Sequence, residues 1–139
     1  GGQEAEVPDL IFEYIRRDLL NRILGNSDNH GRNIAVFRHS ERFELAPIYD
    51  LAPMILDAEG VTRATKWEAE SKGAPDWRKN CACFQQWYAP EDLYQRVRDA
   101  AKEFKALPDL LVNMPLDIRQ NAALPVNDLD KHLRQWELI

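Results

Sequence analysis

The feature that most constrains the fold is a helical repeat of apolar residues that stops abruptly at a glycine. Residues 8–24 place apolar side chains three or four positions apart, at Leu10, Ile11, Tyr14, Ile15, Leu19 and Ile23. This period predicts an amphipathic helix with one buried face. Pro8 suits the first turn of such a helix, and Gly25 is a typical residue just beyond a helix end. The helix therefore delivers the chain to a fixed point at residue 25.

The segment that follows, GNSDNHGRN from Gly25 to Asn33, is almost entirely polar. Short polar residues and glycines are typical of a surface turn. The same segment also carries an acid, Asp28, an imidazole, His30, and an amide, Asn33. Such side chains bind phosphate or metal ions, or move protons. The segment alone leaves the choice between a turn and a functional site open.

Composition and charge limit the functions to consider. The chain has 139 residues, 45% of them apolar, which suits one domain over residues 1–139 with its own core. A net charge of −5 argues against broad contact of this chain with DNA or RNA. No apolar run reaches the roughly 18 residues of a membrane span, so we expect a cytoplasmic protein without membrane contact. Cys81 and Cys83 are too close together for the common metal or redox motifs, and we expect a structural or idle thiol pair.

A short hairpin is expected immediately after the polar segment. Residues 34–37 and 43–45 have strand-like patterns, and residues 38–42 form a charged turn between them. Residues 46–53 contain two prolines and no helical period, which predicts extended chain. We expect residues 57–75 to form an irregular polar loop.

The remainder of the chain is predicted to be helical. One helix begins at Pro90 and keeps its apolar period as far as Phe104, a second spans residues 108–123 with an interruption at Pro115, and a third spans residues 126–138. The expected fold class is therefore mainly α with a small β-hairpin.

Asp28, Asn33 and Asp50 form the constellation on which a functional interpretation depends. A hairpin carries the chain out and back, so Asp50 can return beside Asn33 and offer a second oxygen ligand to the same space. Mg²⁺ with bound phosphate requires a few such hard oxygen ligands. Asp28 lies five residues before Asn33, the separation at which protein kinases place a catalytic Asp and a metal-binding Asn on one loop. The pattern indicates magnesium-dependent phosphoryl transfer.

Taken together, the two polar segments resemble the catalytic half of HipA-like serine/threonine kinases, the toxins of bacterial toxin–antitoxin pairs. That family carries an N-x-D-x-H-x-x-N loop, then a hairpin, then an A-P-x-Y-D-L segment. The sequence matches these two motifs at Asn26, Asp28, His30, Asn33, Ala46, Pro47, Tyr49, Asp50 and Leu51. The match covers residues 25–51, and the flanking helices are compatible with the family without being specific to it.

The resemblance implies a kinase-like C-terminal lobe (α+β) that uses ATP and Mg²⁺. Asp28 is then the catalytic base, and Asn33 and Asp50 bind the metal and, through it, the nucleotide. His30 is a candidate for catalysis and for contact with the ATP phosphates, or it holds the loop by hydrogen bonds. The implied partners are a protein substrate and an antitoxin of the HipB type. A similar loop occurs in lipid kinases and small-molecule phosphotransferases, so the phosphate acceptor stays open.

A complete kinase also needs a loop over the ATP phosphates and a lysine that pairs with them. The sequence has no glycine-rich loop, and its first lysine is Lys66. We therefore expect that the N-terminal ATP-binding lobe is absent from this chain, that the chain is a piece of a longer protein, and that it has little activity alone. The alternative is a non-catalytic module that docks an antitoxin or a separate N-lobe. Arg63, Lys66 and Trp67 are expected on a solvated loop.

Overall fold

The computed structural model describes residues 2–27, 33–49, 51–60, 63, 65–71 and 74–139. In this part of the chain the elements follow in the order α1 (Gly2–Ile23), β1 (Val36–Arg38), β2 (Phe43–Leu45), a 3-10 turn (Met54–Leu56), β3 (Glu70–Ser71), β4 (Ala74–Pro75), α2 (Trp77–Ala82), α3 (Pro90–Phe104), α4 (Leu107–Leu110), α5 (Leu116–Arg119), a second 3-10 turn (Pro125–Asp128) and α6 (Leu129–Gln135). The fold class is mainly α with a small antiparallel hairpin, as the sequence predicts.

The core forms where the apolar faces of the longer helices meet. Helix α1 packs against α3 and against strand β2, and α2 packs against α3. The buried residues of α1 recur every four positions, at Ile11, Ile15, Leu19 and Ile23. Those of α3 have the same spacing or one close to it, at Leu93, Val97, Ala101 and Phe104. Burying each Leu or Ile side chain contributes about 1.5–3 kcal/mol, so these two stripes fix how α1 lies on the domain.

The predicted hairpin is confirmed. Strands β1 and β2 pair antiparallel, with Val36 opposite Leu45. The amide of Ala46 donates to the carbonyl of Ala35 at 2.8 Å, which continues the ladder by one residue. This pairing places the start of the second motif directly beside the chain that leaves the first.

The start predicted for α1 is wrong by six residues, because the helix begins at Gly2 and Pro8 lies inside it. Proline has no N–H group, so only the hydrogen bond that residue 8 would donate one turn back is lost. The apolar stripe from Ile11 to Ile23 lies beyond the proline and is unaffected.

The expectation of an irregular loop over residues 57–75 is also wrong in part. Strands β3 and β4 form a second small hairpin, with Glu70 opposite Pro75. Each strand has two residues, which is too short for an alternating pattern to be visible in the sequence.

The helices predicted near the C-terminus are shorter than expected. Residues 108–123 are helical only in α4 and α5, and the predicted interruption at Pro115 is confirmed, since Pro115 is the N-cap of α5. Helix α6 ends at Gln135, three residues before the predicted end. A proline restricts the residue before it to extended conformations, which explains why the helix is broken before Pro115.

The two cysteines are free thiols, as expected. Cys81 of α2 is fully buried in the core, and Cys83 is exposed. Burial raises the pKa of the Cys81 thiol to about 12. The Cys81 thiol therefore stays protonated and packs as an apolar side chain.

Candidate functional site

Most of the predicted catalytic residues lie outside the described part of the chain. Asp28, His30 and Asp50 fall in its gaps, so their roles stay predictions. Asn33 is described. The residues that immediately precede the gaps, Ser27 and Tyr49, are also described, and they show how α1 positions both motifs.

The first motif begins at a glycine cap on α1. Gly25 has a φ of +70°. The amide of Asn26 donates to the carbonyl of Asn21 at 2.8 Å, and that of Gly25 donates to the carbonyl of Arg22 at 3.3 Å. These two bonds form a Schellman motif, which satisfies carbonyls at the helix end. The Gly25 carbonyl accepts from the amide of Ile55 at 3.0 Å, so the helix end is also tied to the chain beyond the second motif.

The side chain of Asn26 is an anchor for the first motif. Asn26 is 6% exposed, and its Nδ2 donates to Oδ1 of Asn21 at 2.9 Å. Buried amides are costly unless they are paired, so this contact strongly favours one direction for the chain that leaves α1. The first asparagine of the motif therefore has a structural role close to the predicted catalytic loop.

The second motif is held by the same helix. The guanidinium of Arg17 donates through Nη1 to the carbonyl of Ala46, and its Nε donates to Oε1 of Glu13 at 2.8 Å. Ala46 is buried, so the bond is shielded from water. Hydrogen bonds from a charged donor are roughly twice as strong as neutral ones. Arg17 lies four residues before Asn21, so one face of α1 holds the start of both motifs.

The two motifs meet at a small polar cavity. Its volume is about 30 Å³, and its lining includes Asn26 and Asn33 of the first motif and Tyr49 of the second. Helix α1 contributes the polar side chains of Tyr14, Arg17, Asp18 and Asn21. Burial, and then the charge of Asp18, raises the pKa of Tyr14, so its hydroxyl stays protonated. A space of this size holds about two water molecules or one ion, whereas pockets for nucleotide-sized ligands have about 300–1,000 Å³.

The described residues supply part of the predicted magnesium site. No group of three or more His, Cys, Asp or Glu side chains forms a metal cluster among them. Asn33 nevertheless lines the polar cavity, and an amide oxygen is a hard ligand of the kind that Mg²⁺ prefers. The residue among them that fits the metal is therefore Asn33, and the one carboxylate predicted to complete the site, Asp50, lies in a gap.

A buried ion pair joins α1 to the chain before β3. Oδ1 of Asp18 accepts from Nη2 of Arg63 at 2.7 Å, and Oδ2 accepts from the indole Nε1 of Trp67 at 2.7 Å. The side chains of Arg63 and Asp18 are 10% and 5% exposed. The expectation that Arg63 and Trp67 are solvated is therefore wrong, whereas Lys66 is exposed as expected.

A second ion pair lies one turn further along α1. Nη2 of Arg22 is 2.6 Å from Oε2 of Glu70, and both side chains are largely buried. Together the two pairs hold Arg63 and Glu70 against the helix that carries the motifs. One signal in the sequence points to this arrangement, because Asp18 falls on the apolar face of α1, three residues after Ile15, where an acid requires a partner.

The fold and cavity define a class of helical domain in which one long helix brings two polar motifs together. A family model for the HipA-like C-terminal domain matches residues 3–107. The chain therefore belongs to the HipA-like C-terminal domain family. The searches of curated proteins and of solved structures gave no match. None of the described helices is long and apolar enough to cross a membrane.

We predict that Gly25→Ala destabilises the domain by about 2–5 kcal/mol. A side chain at positive φ costs roughly 1–2 kcal/mol, and overpacking adds about 1–3 kcal/mol. A Cβ at residue 25 would lie 2.6 Å from Cγ2 of Ile55 and 2.8 Å from Cδ2 of Leu124. Gly60→Ala is the matched control, because Gly60 has a φ of +67° and no atom of the described residues lies within 4 Å of its added Cβ. Urea denaturation of both variants measures the difference, and equal losses would contradict the packing at Gly25.

We also predict that Asp18→Asn costs about 3–5 kcal/mol, because it leaves the Arg63 guanidinium buried without a carboxylate. Asp9→Asn on the same helix is the control. Asp9 pairs with Arg96 at 2.9 Å, but its side chain is 76% exposed, so its loss costs about 0–1 kcal/mol. Chemical denaturation of the two variants gives the comparison. Similar midpoints for both would show that the Asp18 pair is not buried in solution.

Proposed function

We propose that this domain is the catalytic half of a magnesium-dependent protein kinase that transfers the γ-phosphate of ATP to a serine or threonine hydroxyl. The observation that supports it best is the shared cavity, where Asn33 of the first motif and Tyr49, which immediately precedes Asp50, lie against the same face of α1. Membership of the HipA-like C-terminal domain family supports the same proposal.

Each predicted residue has a distinct role in this proposal. Asp28 accepts the proton of the attacking hydroxyl as its oxygen bonds to the γ-phosphorus, while the bond from the γ-phosphorus to the bridging oxygen of ATP breaks and ADP leaves. Asn33 and Asp50 would hold Mg²⁺, which supplies positive charge to the phosphate oxygens when it is bound. His30 contacts the phosphates or holds the loop. Arg17 and Asn21 are positioning residues, because they contact the backbone and side chain of the motifs.

The size of the cavity limits what this domain binds by itself. A volume of about 30 Å³ accommodates an ion but not a nucleotide, so the base and ribose of ATP lie outside it. We propose that a separate N-terminal lobe covers the nucleotide and that a HipB-type antitoxin is the regulatory partner. The hydroxyl acceptor belongs to a protein in this proposal.

A docking module without catalysis is the second candidate, and the exposed hairpin favours it. Val36, Phe37 and Phe43 are 51%, 52% and 45% exposed. Apolar side chains grouped on one hairpin commonly mark a surface that another protein covers. The same surface also suits the N-terminal lobe of a kinase, so the two candidates differ in phosphate transfer and not in docking.

The test is transfer of labelled γ-phosphate from Mg-ATP to protein by the natural full-length protein. We expect Asp28→Asn and Asp50→Asn to lower the rate by about 10²–10⁴-fold, because each removes a group that acts in the transition state. Asp109→Asn is the control, since Asp109 is an exposed residue of α4 and its loss should leave the rate unchanged.

Two results would count against catalysis. One is an active Asp28→Asn protein, since the proposed base would then be dispensable. The other is wild-type protein that labels neither itself nor any added protein while it still binds a HipB-type partner, and this result would establish the docking alternative.

A further inference from the structure

A second and larger cavity lies beside the C-terminal end of α1. Its volume is about 360 Å³, within the range of about 300–1,000 Å³ that is usual for small-molecule sites. It shares Asn21 and Asn26 with the small cavity, and it is also lined by Ser27, Arg63 and Trp136. The proposed phosphoryl transfer makes no use of Arg63, Trp136 or the Ser27 hydroxyl.

Two lining residues carry buried polar atoms that lack a hydrogen-bond partner. These atoms are Nη1 of Arg63 and Oγ of Ser27, and within the described ranges neither has a donor or acceptor in reach. The other two nitrogens of Arg63 are used, because Nη2 bonds to Asp18 and Nε bonds to the carbonyl of Thr65. A buried donor without a partner is unfavourable, so a ligand oxygen that accepts a hydrogen bond from it is stabilised at this place.

The charges around the cavity favour an anion. Arg22 and Arg63 line it, whereas no Asp or Glu of the described residues does. The carboxylates that pair with the two arginines balance their charge without contributing to the lining. A guanidinium presents a planar fork of N–H donors that matches phosphate oxygens well. Binding therefore rests on charge-assisted hydrogen bonds more than on net charge.

The remainder of the lining is largely apolar. Ile55, Pro125 and Trp136 contribute to it together with two alanines. A bare ion would leave this part of the cavity in contact with water, whereas a flat apolar group would cover it. The cavity thus combines a polar part that offers donors with an apolar part that includes an indole.

We propose that this cavity binds a small phosphomonoester whose phosphate oxygens accept hydrogen bonds from Arg63 and Ser27 and whose apolar body packs against Trp136. The site shares Asn21 and Asn26 with the cavity at the predicted metal site, but the proposed ligand contacts Arg63, Ser27 and Trp136, which do not line that cavity. It does not depend on the proposed kinase activity, because none of these three residues has a role in that reaction.

The test is a titration of the chain with phenyl phosphate, in which binding is monitored through the NMR signal of the Trp136 indole N–H. We expect saturable binding, with inorganic phosphate and benzyl alcohol each binding at least tenfold more weakly, since each lacks one half of the ligand. Benzoate tests whether a carboxylate replaces the phosphate. If inorganic phosphate bound as tightly as phenyl phosphate, the proposed packing of an apolar group on Trp136 would be overturned. If benzoate bound as tightly as phenyl phosphate, the proposed preference for phosphate would be overturned.

Two conservative variants test the contacts. Ser27→Ala removes a hydroxyl that has no partner within the described chain, so the fold should be kept while affinity falls about tenfold. Arg63→Lys keeps a charge for Asp18 but loses the free N–H, and a similar fall is expected. The matched controls are Ser40→Ala and Arg78→Lys, both at exposed positions elsewhere, and they should bind like wild type.

The possible results separate this site from the catalytic one. Asp50→Asn, which should abolish phosphate transfer, is expected to bind phenyl phosphate like wild type. No saturable binding, or unchanged affinity in both Ser27→Ala and Arg63→Lys, would show that the cavity holds only water and would overturn the proposal. Loss of binding in Asp50→Asn would place the phosphate in the catalytic site, which also overturns it.

Discussion

Helix α1 presents buried or half-buried polar side chains to three separate segments, and the arrangement of the two motifs depends on these contacts. Arg17 holds Ala46, Asp18 holds Arg63 and Trp67, and Asn21 holds Asn26. Polar groups in a protein interior are tolerated only when they are paired, so each contact is strongly favoured once the apolar face of α1 is buried. The apolar core thus fixes the position of α1, and α1 fixes the positions of the three segments that it contacts.

This arrangement explains how a short hairpin brings the motifs together. Strands β1 and β2 return the chain so that Ala46 pairs with Ala35, but a two-stranded hairpin is only marginally stable by itself. The contact from Arg17 to Ala46, and the packing of β2 on α1, hold it in one orientation. Asn33 and Tyr49 consequently lie at one cavity although 16 positions separate them in the sequence.

The sequence predicted those helices and strands whose formation depends on residues close together in the chain. The four-residue apolar repeat of α1, the start of α3 at Pro90 and the strands of the first hairpin are confirmed. The contacts of Arg63 and Trp67 could not be read in the same way, because their partner Asp18 lies 45 and 49 residues away in the sequence. A loop rich in charged residues is predicted to be solvated when the sequence alone is considered, because the sequence does not show that a buried acid on another element lies beside it. The roles of Asp28, His30 and Asp50 stay predictions from motif spacing.

We propose that α1 brings Asn33 and the segment ending in Asp50 to one metal ion. NMR spectra of the chain with substoichiometric Mn²⁺, a paramagnetic substitute for Mg²⁺, test this proposal. We expect selective broadening of the Asn33 side-chain amide and of the backbone amides of Tyr49 and Leu51, reversed by excess Mg²⁺, and we expect the broadening at Tyr49 and Leu51 to be lost in Asn33→Ala. Broadening confined to exposed carboxylates such as Asp109 and Asp117, with Asn33 and Tyr49 unaffected, would contradict it.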